Sequence, residues 1–571
     1  MPKLTRHFDL TTTSNGRPQI ATSLTGQALL RQPLVNKGTA FTEAERIDLG
    51  IDGLLPPQTN TLDDQLGRAF RGYQREPSPI AKYQYLRALQ DRNEVLFYAL
   101  LERHIAEMLP IVYTPTVGEA IQHFNLLYQN ARGLSLSPMN VARAEDVVKN
   151  YAFNDVRMIV ATDSSAILGI GDQGFGGLGI TIGKLALYTV AGGVAPYQTM
   201  PVGLDVGTER QDLRDDPYYL GVRERRLTGE RYVEFMDKFV DAVRARYPHA
   251  IIQWEDLSKD TAFTVLERYR KKVASFNDDV QGTGAVALAG VLCACKLRGE
   301  ALRDQRVVVH GAGAGGAGVA WAIIQGMMRE GLSREDATAR VFVLDSKGLL
   351  VEGRAMEDYK RTLAQQTGAI ATWKKSGEFP SLLETIQGGR ATVLLGLSGQ
   401  AGAFDEASVR ATMKNTARPV IFPLSNPTSA CEALPEDVLR WTDGAAIVAT
   451  GSPFAPVVHA GKTYEIGQGN NAFIFPGLGF GAILAGAREI TDAMVLASSD
   501  ALAHYVEETH LAHGRVYPAV SELQEVSIRV AARVMAQAMK DGVAAESREG
   551  DLEEYVRARS WRPKYLPTVR A

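Results

Sequence analysis

Arg306-Val307-Val308-Val309-His310-Gly311-Ala312-Gly313-Ala314-Gly315-Gly316-Ala317-Gly318 decides the fold. An apolar strand runs directly into a G-x-G-x-x-G turn, Gly311 to Gly316, and the turn opens a helix. Glycines at those positions let the backbone approach a diphosphate, and the helix N-terminus supplies N–H donors and the positive end of a dipole. The next strand, Val341-Phe342-Val343-Leu344-Asp345, ends on an acid suited to the ribose hydroxyls of NAD. The gap between the two is longer than usual, and Gly331 to Asp336 reads as the insertion. Gly311, Gly313, Gly316 and Asp345 are therefore the candidate cofactor-binding residues. Asp345 favours NAD; Lys347, Lys360 and Arg361 lie close enough in sequence to leave NADP open.

Upstream lie two short apolar runs that each stop on paired acids: Ile251-Ile252-Gln253-Trp254-Glu255-Asp256 and Val273-Ala274-Ser275-Phe276-Asn277-Asp278-Asp279. In an α/β sheet ligands gather outside the carboxyl ends of strands. Four carboxylates there repel one another unless a cation sits among them, and Mg²⁺ or Mn²⁺ is the hard ion that suits carboxylate oxygen. A second glycine match, Gly169-Ile170-Gly171-Asp172-Gln173-Gly174, carries an acid that would repel a diphosphate. It reads as a substrate-site loop or as a plain glycine turn.

These signals predict an α/β protein: a Rossmann-type doubly wound NAD-binding domain beside an α/β substrate and metal domain, with a helical N-terminal region and a C-terminal tail. The expected divisions are a helical region over 1–130, the catalytic α/β domain over 131–280 completed by 467–540, the dinucleotide domain over 281–466 and the tail over 541–571. Residues 1 to about 30 look loosely ordered, and Thr42 to Glu45 reads as a capping box. Helical spacing of Leu89, Leu96 and Leu100 predicts helix from Asp63 to Leu109, stopped by Pro110. Ile111 to Tyr113 reads as strand-like, with a second capping box from Thr116 to Glu119. The charged stretch from Glu209 to Arg226 reads as a solvated loop, and the tail as packing on the surface.

Composition narrows the class. The chain has 571 residues, 45% hydrophobic and 22% charged, with a net charge of -3, which points away from nucleic-acid and membrane partners. Cys293, Cys295 and Cys431 form neither a disulfide framework nor a zinc site, so buried thiols in a reducing, cytoplasmic setting are expected. The N-terminal sequence lacks an apolar secretory core. The longest apolar stretches, such as Ala285 to Cys295, are too short to span a bilayer.

Ordered, specific stretches then resemble the malic enzymes over nearly the whole chain: IVYTPTVGEA (111–120), ILGIGDQGFGGLGITIGKLALYT (167–189), PVGLDVGT (201–208), QWEDL (253–257), SFNDDVQGTG (275–284), HGAGAGGAG (310–318), PLSNPT (423–428), ATGSPF (449–454) and GQGNNAFIFPGLGFG (467–481). The resemblance implies metal-dependent oxidative decarboxylation of (S)-malate to pyruvate and CO₂ with reduction of NAD. It implies Glu255, Asp256 and Asp279 as metal ligands, Lys184 as the general base and Tyr113 as the acid that protonates C3. Asp278 would orient the Lys184 amine or relay its proton. Asn426, Asn470 and Asn471 would bind the substrate carboxylate, with Asn426 also reaching the nicotinamide amide. Relatives of this kind are homotetramers or dimers.

The chain departs from the family at Ala166, where many members carry an arginine that holds malate. The malolactic enzymes, which yield lactate on the same scaffold, also lack that arginine. The retained Tyr113-Thr114-Pro115-Thr116 favours malic chemistry. Arg92 resembles an effector-contacting arginine of some members, but it also suits an ordinary helix surface.

Overall fold

In the computed structural model, which describes residues 3–545 and 547–571, the chain divides into two compact units. One comprises residues 1–255 and 554–571, the other 256–553. Segment 467–540, expected to complete the first α/β part, thus falls in the second unit.

The first unit begins with order where looseness was expected. Phe8–Thr12 and Pro18–Thr22 form an antiparallel hairpin, and Thr568–Arg570 from the tail pairs in parallel with its second strand. Leu4, Phe8 and Ile20 are buried against Val35, Phe41 and Ile51. The tail is therefore a strand of a sheet rather than a surface appendage. The capping box at Thr42 is present, with Glu45 returning a hydrogen bond to the Thr42 N–H at 2.9 Å.

The long expected helix is cut into four: Leu62–Arg75, Pro79–Arg92, Glu94–Arg103 and Ile105–Val112. Asn93 makes one of the cuts by taking an extended conformation and accepting the Leu96 N–H at 3.0 Å, which caps the next helix. Pro110 does not stop the last helix but lies inside it. Ile111 and Val112 are accordingly helical, not a strand. The second capping box is absent too, because Pro115 occupies the cap of Thr116–Gln122 and makes no side-chain bond.

Four parallel strands follow, in the order Leu134–Leu136, Thr199–Leu204, Met158–Thr162, Ile251–Glu255. Glu255 stands in register with Thr162 at the carboxyl ends. The helix Leu178–Leu187 is buried at every residue and continues through a π turn, Tyr188–Gly192. A Cβ at Gly183 would lie 2.7 Å from the Val112 carbonyl oxygen, so the helix meets the backbone beside Tyr113 at a separation only glycine permits.

The second unit carries a seven-stranded sheet ordered Gly348–Leu349, Val341–Asp345, Val307–His310, Val393–Gly396, Val420–Pro423, Ile447–Thr450, Gly467–Gln468. All neighbours are parallel except the edge hairpin. The chain reverses direction across the sheet between Val307–His310 and Val393–Gly396, the switch point at which such sheets bind ligands. Helices Phe475–Ala485, Asp492–Thr509 and Leu523–Lys540 pack on one another, and Thr283–Arg298 packs between Asp492–Thr509 and the helix Ala314–Arg329. Two helical stretches, Gly174–Gly192 and Asp278–Arg298, exceed the apolar length expected from sequence and could cross a membrane by length and composition. Their apolar windows are 94% and 78% buried inside the protein, as core helices are. The three cysteines are free and buried, and burial pushes the Cys293 and Cys295 thiols up to about 12.

A Cβ at Gly318, in the helix Ala314–Arg329, would lie 2.0 Å from the Val280 carbonyl oxygen, with backbone rather than a movable side chain in the way. Gly318→Ala is expected to destabilise the protein by roughly 1–3 kcal/mol, read as a lower midpoint in urea unfolding, whereas Ala320→Gly in the same helix should cost no more than about 1 kcal/mol.

Candidate functional site

Lys184 is 1% exposed, and its ammonium pairs with Glu255 Oε1 at 2.9 Å. The other carboxylate oxygen of Glu255 accepts from Gln253 Nε2 at 2.8 Å, and Tyr188 donates its hydroxyl to Gln253 Oε1. Strand alternation would point Gln253 and Glu255 to one face, and the hydrogen-bond chain shows that it does. The Lys184 nitrogen stands 5.4 Å from the centroid of the Tyr113 ring. A buried amine and carboxylate thus lie beside a half-buried phenol.

Glu255 and Asp256 are consecutive, and one carboxylate oxygen from each lies within 4.8 Å of one from Asp279 and of each other. Asp256 adopts φ +53, a left-handed conformation that is strained for a non-glycine residue. Its N–H donates to Asp279 Oδ2 at 2.8 Å, which ties the turn to the Asp279 carboxylate. Three oxygens of this type match what a hard divalent cation takes.

Asp278 is fully buried, and Asn471 Nδ2 donates to its Oδ2 at 3.1 Å and to Thr283 Oγ1 at 3.0 Å. Asn471, expected to hold substrate, thus contacts Asp278 through its amide nitrogen. Asn470 caps the following turn by accepting the Ala472 N–H at 2.9 Å. Asn426 is half-buried, and its carbonyl oxygen accepts from Ser452 Oγ at 2.5 Å.

The dinucleotide turn is built as the spacing required. Gly311 takes φ +115, and a Cβ there would meet the Leu397 carbonyl oxygen at 2.3 Å. A Cβ at Gly316 would meet the Gly311 oxygen at 1.7 Å, whereas a Cβ at Gly313 would meet nothing within 4 Å. The first and third glycines serve packing, and the middle one faces open space at a helix N-terminus, a cradle for a diphosphate. Asp345 is clamped by Arg354 and, at 3.3 Å, by Lys360. Burial pushes its carboxyl up, but Arg354, the Lys347 N–H and Lys360 outweigh that and hold it below its ordinary range. Lys360 also pairs with Glu357 at 2.8 Å, and Arg361 is turned to Asp358.

Asp172, in the second glycine match, is held by the protein itself: Arg226 grips both its oxygens, and the Gly174 and Glu209 N–H groups donate to it. The stretch from Glu209 to Arg226 is largely exposed, as expected, but Tyr219 within it is buried and Arg226 also donates to the Asp163 carbonyl. Ala166 and Arg92 are both exposed. Glu432, which no motif flagged, is fully buried and accepts from the N–H and hydroxyl of both Ser398 and Ser425. It braces the loops at the carboxyl ends of the dinucleotide sheet, and only its position after folding reveals it.

A glycine-turn dinucleotide sheet together with a buried lysine and a carboxylate cluster defines a dinucleotide-dependent enzyme of the α/β class. Family comparison resolves the class further. Residues 90–270 match the malic enzyme N-terminal domain and residues 280–539 the malic enzyme NAD binding domain. NAD-dependent malic enzymes of Pectobacterium carotovorum and Pseudomonas savastanoi are 46% and 45% identical to the chain. The first alignment covers 95% of this chain and 96% of the relative, the second 97% and 98%. Among solved structures, Pyrococcus horikoshii malic enzyme is similar with a TM-score of 0.53 at 27% identity, over 79% of this chain and 88% of that one. Entamoeba histolytica malic enzyme shares the fold with a TM-score of 0.56 at 23% identity, over 90% and 91%. The chain belongs to the malic enzyme family.

His310 ends the strand that leads into the glycine turn. Burial lowers its pKa from the ordinary 6.5, against the opposing pull of Glu432 and Gln400. A lowered folded value means that the unfolded chain takes up the proton first, so stability is lost as pH falls through 6.5. Between pH 7.5 and pH 5.5 the wild-type melting temperature is expected to drop further than that of His310→Gln; parallel profiles would contradict this assignment.

Proposed function

We propose that the protein oxidises (S)-malate with NAD⁺ and releases CO₂ and pyruvate. The observation that carries this reading is the buried Lys184–Glu255 pair set beside the carboxylates of Asp256 and Asp279. Glu255, Asp256 and Asp279 would hold Mg²⁺ or Mn²⁺, and the donor chemistry fits. When bound, the metal ion polarises the C2 oxygen of malate and NAD⁺ accepts the C2 hydride.

This chain's side chains then move the protons. Lys184 takes the hydroxyl proton from the C2 oxygen, with Glu255 orienting its amine. Asp278, held by Asn471, receives or returns that proton. Departure of the C4 carboxylate as CO₂ leaves electrons at C3, and the Tyr113 hydroxyl supplies the proton that completes pyruvate. Asn426 offers a neutral amide to a carboxylate or to the carboxamide of the dinucleotide. The glycine turn supports NAD binding, and Asp345 supports NAD over NADP, because the Lys360 charge beside it is already shared between two carboxylates.

The free thiols support a reducing compartment such as the cytoplasm.

Incubation with malate, Mn²⁺ and NAD⁺ should give NADH and pyruvate in equal amounts. Lactate without NADH would establish the malolactic reaction instead. Lys184→Ala is expected to lower kcat by about 10²–10⁴-fold while NAD⁺ affinity holds, and Asp279→Asn to weaken Mn²⁺ binding measured by calorimetry. Unchanged Mn²⁺ affinity in Asp279→Asn would remove that residue from the ligand set.

Ala166 sits where many relatives carry a substrate-holding arginine, and it is exposed, so a longer side chain meets no packing barrier. Ala166→Arg is expected to lower the KM for malate by about tenfold, the value of one charge-assisted hydrogen bond. A raised or unchanged KM would show that another group already fills the role.

A further inference from the structure

The first unit encloses a cavity of about 530 Å³ that the proposed chemistry does not use. Its floor is apolar and buried, formed by Leu4, Phe8, Ile20 and Val35, and Trp561 contributes to its wall. The charged groups that line it are all cationic. The Lys37 ammonium is taken up by Glu45 and by the Leu566 carbonyl. Lys564 is exposed, and among the described residues no carboxylate pairs with it. Arg562 has Glu102 only at 3.5 Å; burial, with Arg557 adding, keeps its pKa lowered despite that acid. A volume of this size is that of a small-molecule site rather than a packing defect, and its walls combine an apolar body with a rim whose charged residues, Lys37, Arg562 and Lys564, are all cations, Lys564 alone lacking a carboxylate partner among the described residues.

We propose that this cavity binds a small amphipathic carboxylate, with a hydrocarbon chain of roughly eight to twelve carbons on Phe8 and Ile20 and its head group on Lys564 and Arg562. The site backs onto the helix that carries Lys184. The Trp561 N–H donates to the Gly193 carbonyl at 2.8 Å, and Gly193 ends the π turn Tyr188–Gly192 that continues that helix. Tyr188 donates to Gln253, and Gln253 to Glu255, the partner of Lys184. An occupant that presses on Trp561 therefore acts on the end of the segment that positions the base, and binding should change malate turnover.

Calorimetric titration of the full-length protein with octanoate, decanoate and dodecanoate tests the proposal, with decanol as the control lacking the charge. One carboxylate is expected to bind per chain, tightening about fifteenfold for each two added methylenes, with decanol at least tenfold weaker than decanoate. Lys564→Glu should weaken decanoate at least fivefold. Leu10→Trp, which fills the mouth from a position already 38% exposed, should abolish binding and leave turnover without ligand at the wild-type level. Decanoate should shift the KM for malate at least twofold in the wild type and not in Leu10→Trp. Absence of saturable binding, equal affinity for decanol, or full binding by Leu10→Trp would each overturn the site. A change of assembly state in Leu10→Trp by sedimentation would do so as well, by showing that a second copy of the chain covers this face. Binding without any kinetic effect would overturn the link to Lys184.

Discussion

Two backbone contacts too close for any side chain hold the reacting groups of this protein. In the first unit Gly183 lets a buried helix rest on the Val112 carbonyl; the residues that follow each partner are Lys184 and Tyr113. In the second, Gly318 rests on the Val280 carbonyl, one residue beyond Asp279, in the helix opened by the dinucleotide turn. A lysine or aspartate side chain has several rotatable bonds and cannot set its own position to a fraction of an ångström. A backbone-on-backbone contact can, because close-packed main chain has no soft mode through which to yield. The position of each reacting group is thereby inherited from a contact that contains none of the chemistry.

The Lys184–Glu255 pair makes poor sense as a stabilising device. Taking two charges out of water costs several kcal/mol per ion, and their attraction commonly does no more than offset that. What distinguishes the pair is its anchoring: the second oxygen of Glu255 is bound by Gln253, and Gln253 by Tyr188. Such a chain fixes the direction of the carboxylate rather than adding net stability. The Asp172–Arg226 pair is anchored in a comparable way, with two N–H donors added to the carboxylate, yet it closes a loop over the glycine run and carries no reacting atom. Burial and pairing alone do not separate catalytic from structural ion pairs; the surroundings do.

The sequence was legible where local rules dominate and opaque where distant segments decide. Strand, glycine turn and acid-ended strand from Arg306 to Asp345 follow one another in the chain, and the structure repeats them. The paired acids after two apolar runs likewise converge as carboxylates. Ile111 and Val112 read as strand because two β-branched residues after a proline lack local evidence for helix, but packing kept them helical with Pro110 inside the turn. The N-terminal residues look polar because a two-stranded hairpin buries only one face, and its third strand arrives from Thr568–Arg570, far away in sequence. Glu432 and the contact of Asn471 with Asp278 had no sequence signal, since a buried acid and a bonded amide have the same composition as surface ones.

The acids of the molecule sort by what already occupies their lone pairs. Glu432 accepts four hydrogen bonds from two serines. Asp163 accepts from the N–H and hydroxyl of Ser165 and from Tyr232. Such carboxylates have their lone pairs taken up by protein donors and little capacity left for a ligand. Glu255, Asp256 and Asp279 differ in being crowded together, because each presents an oxygen within 4.8 Å of the other two. At an effective dielectric of ~20, two charges at that separation repel by about 3–4 kcal/mol, and three such pairs multiply the cost. Asp256 adds the strain of a left-handed backbone. Lys184 offsets part of that repulsion at Glu255; a cation that all three acids could share would relieve the rest, and this electrostatic argument, more than the motif that first drew attention to these residues, supports a divalent ion there.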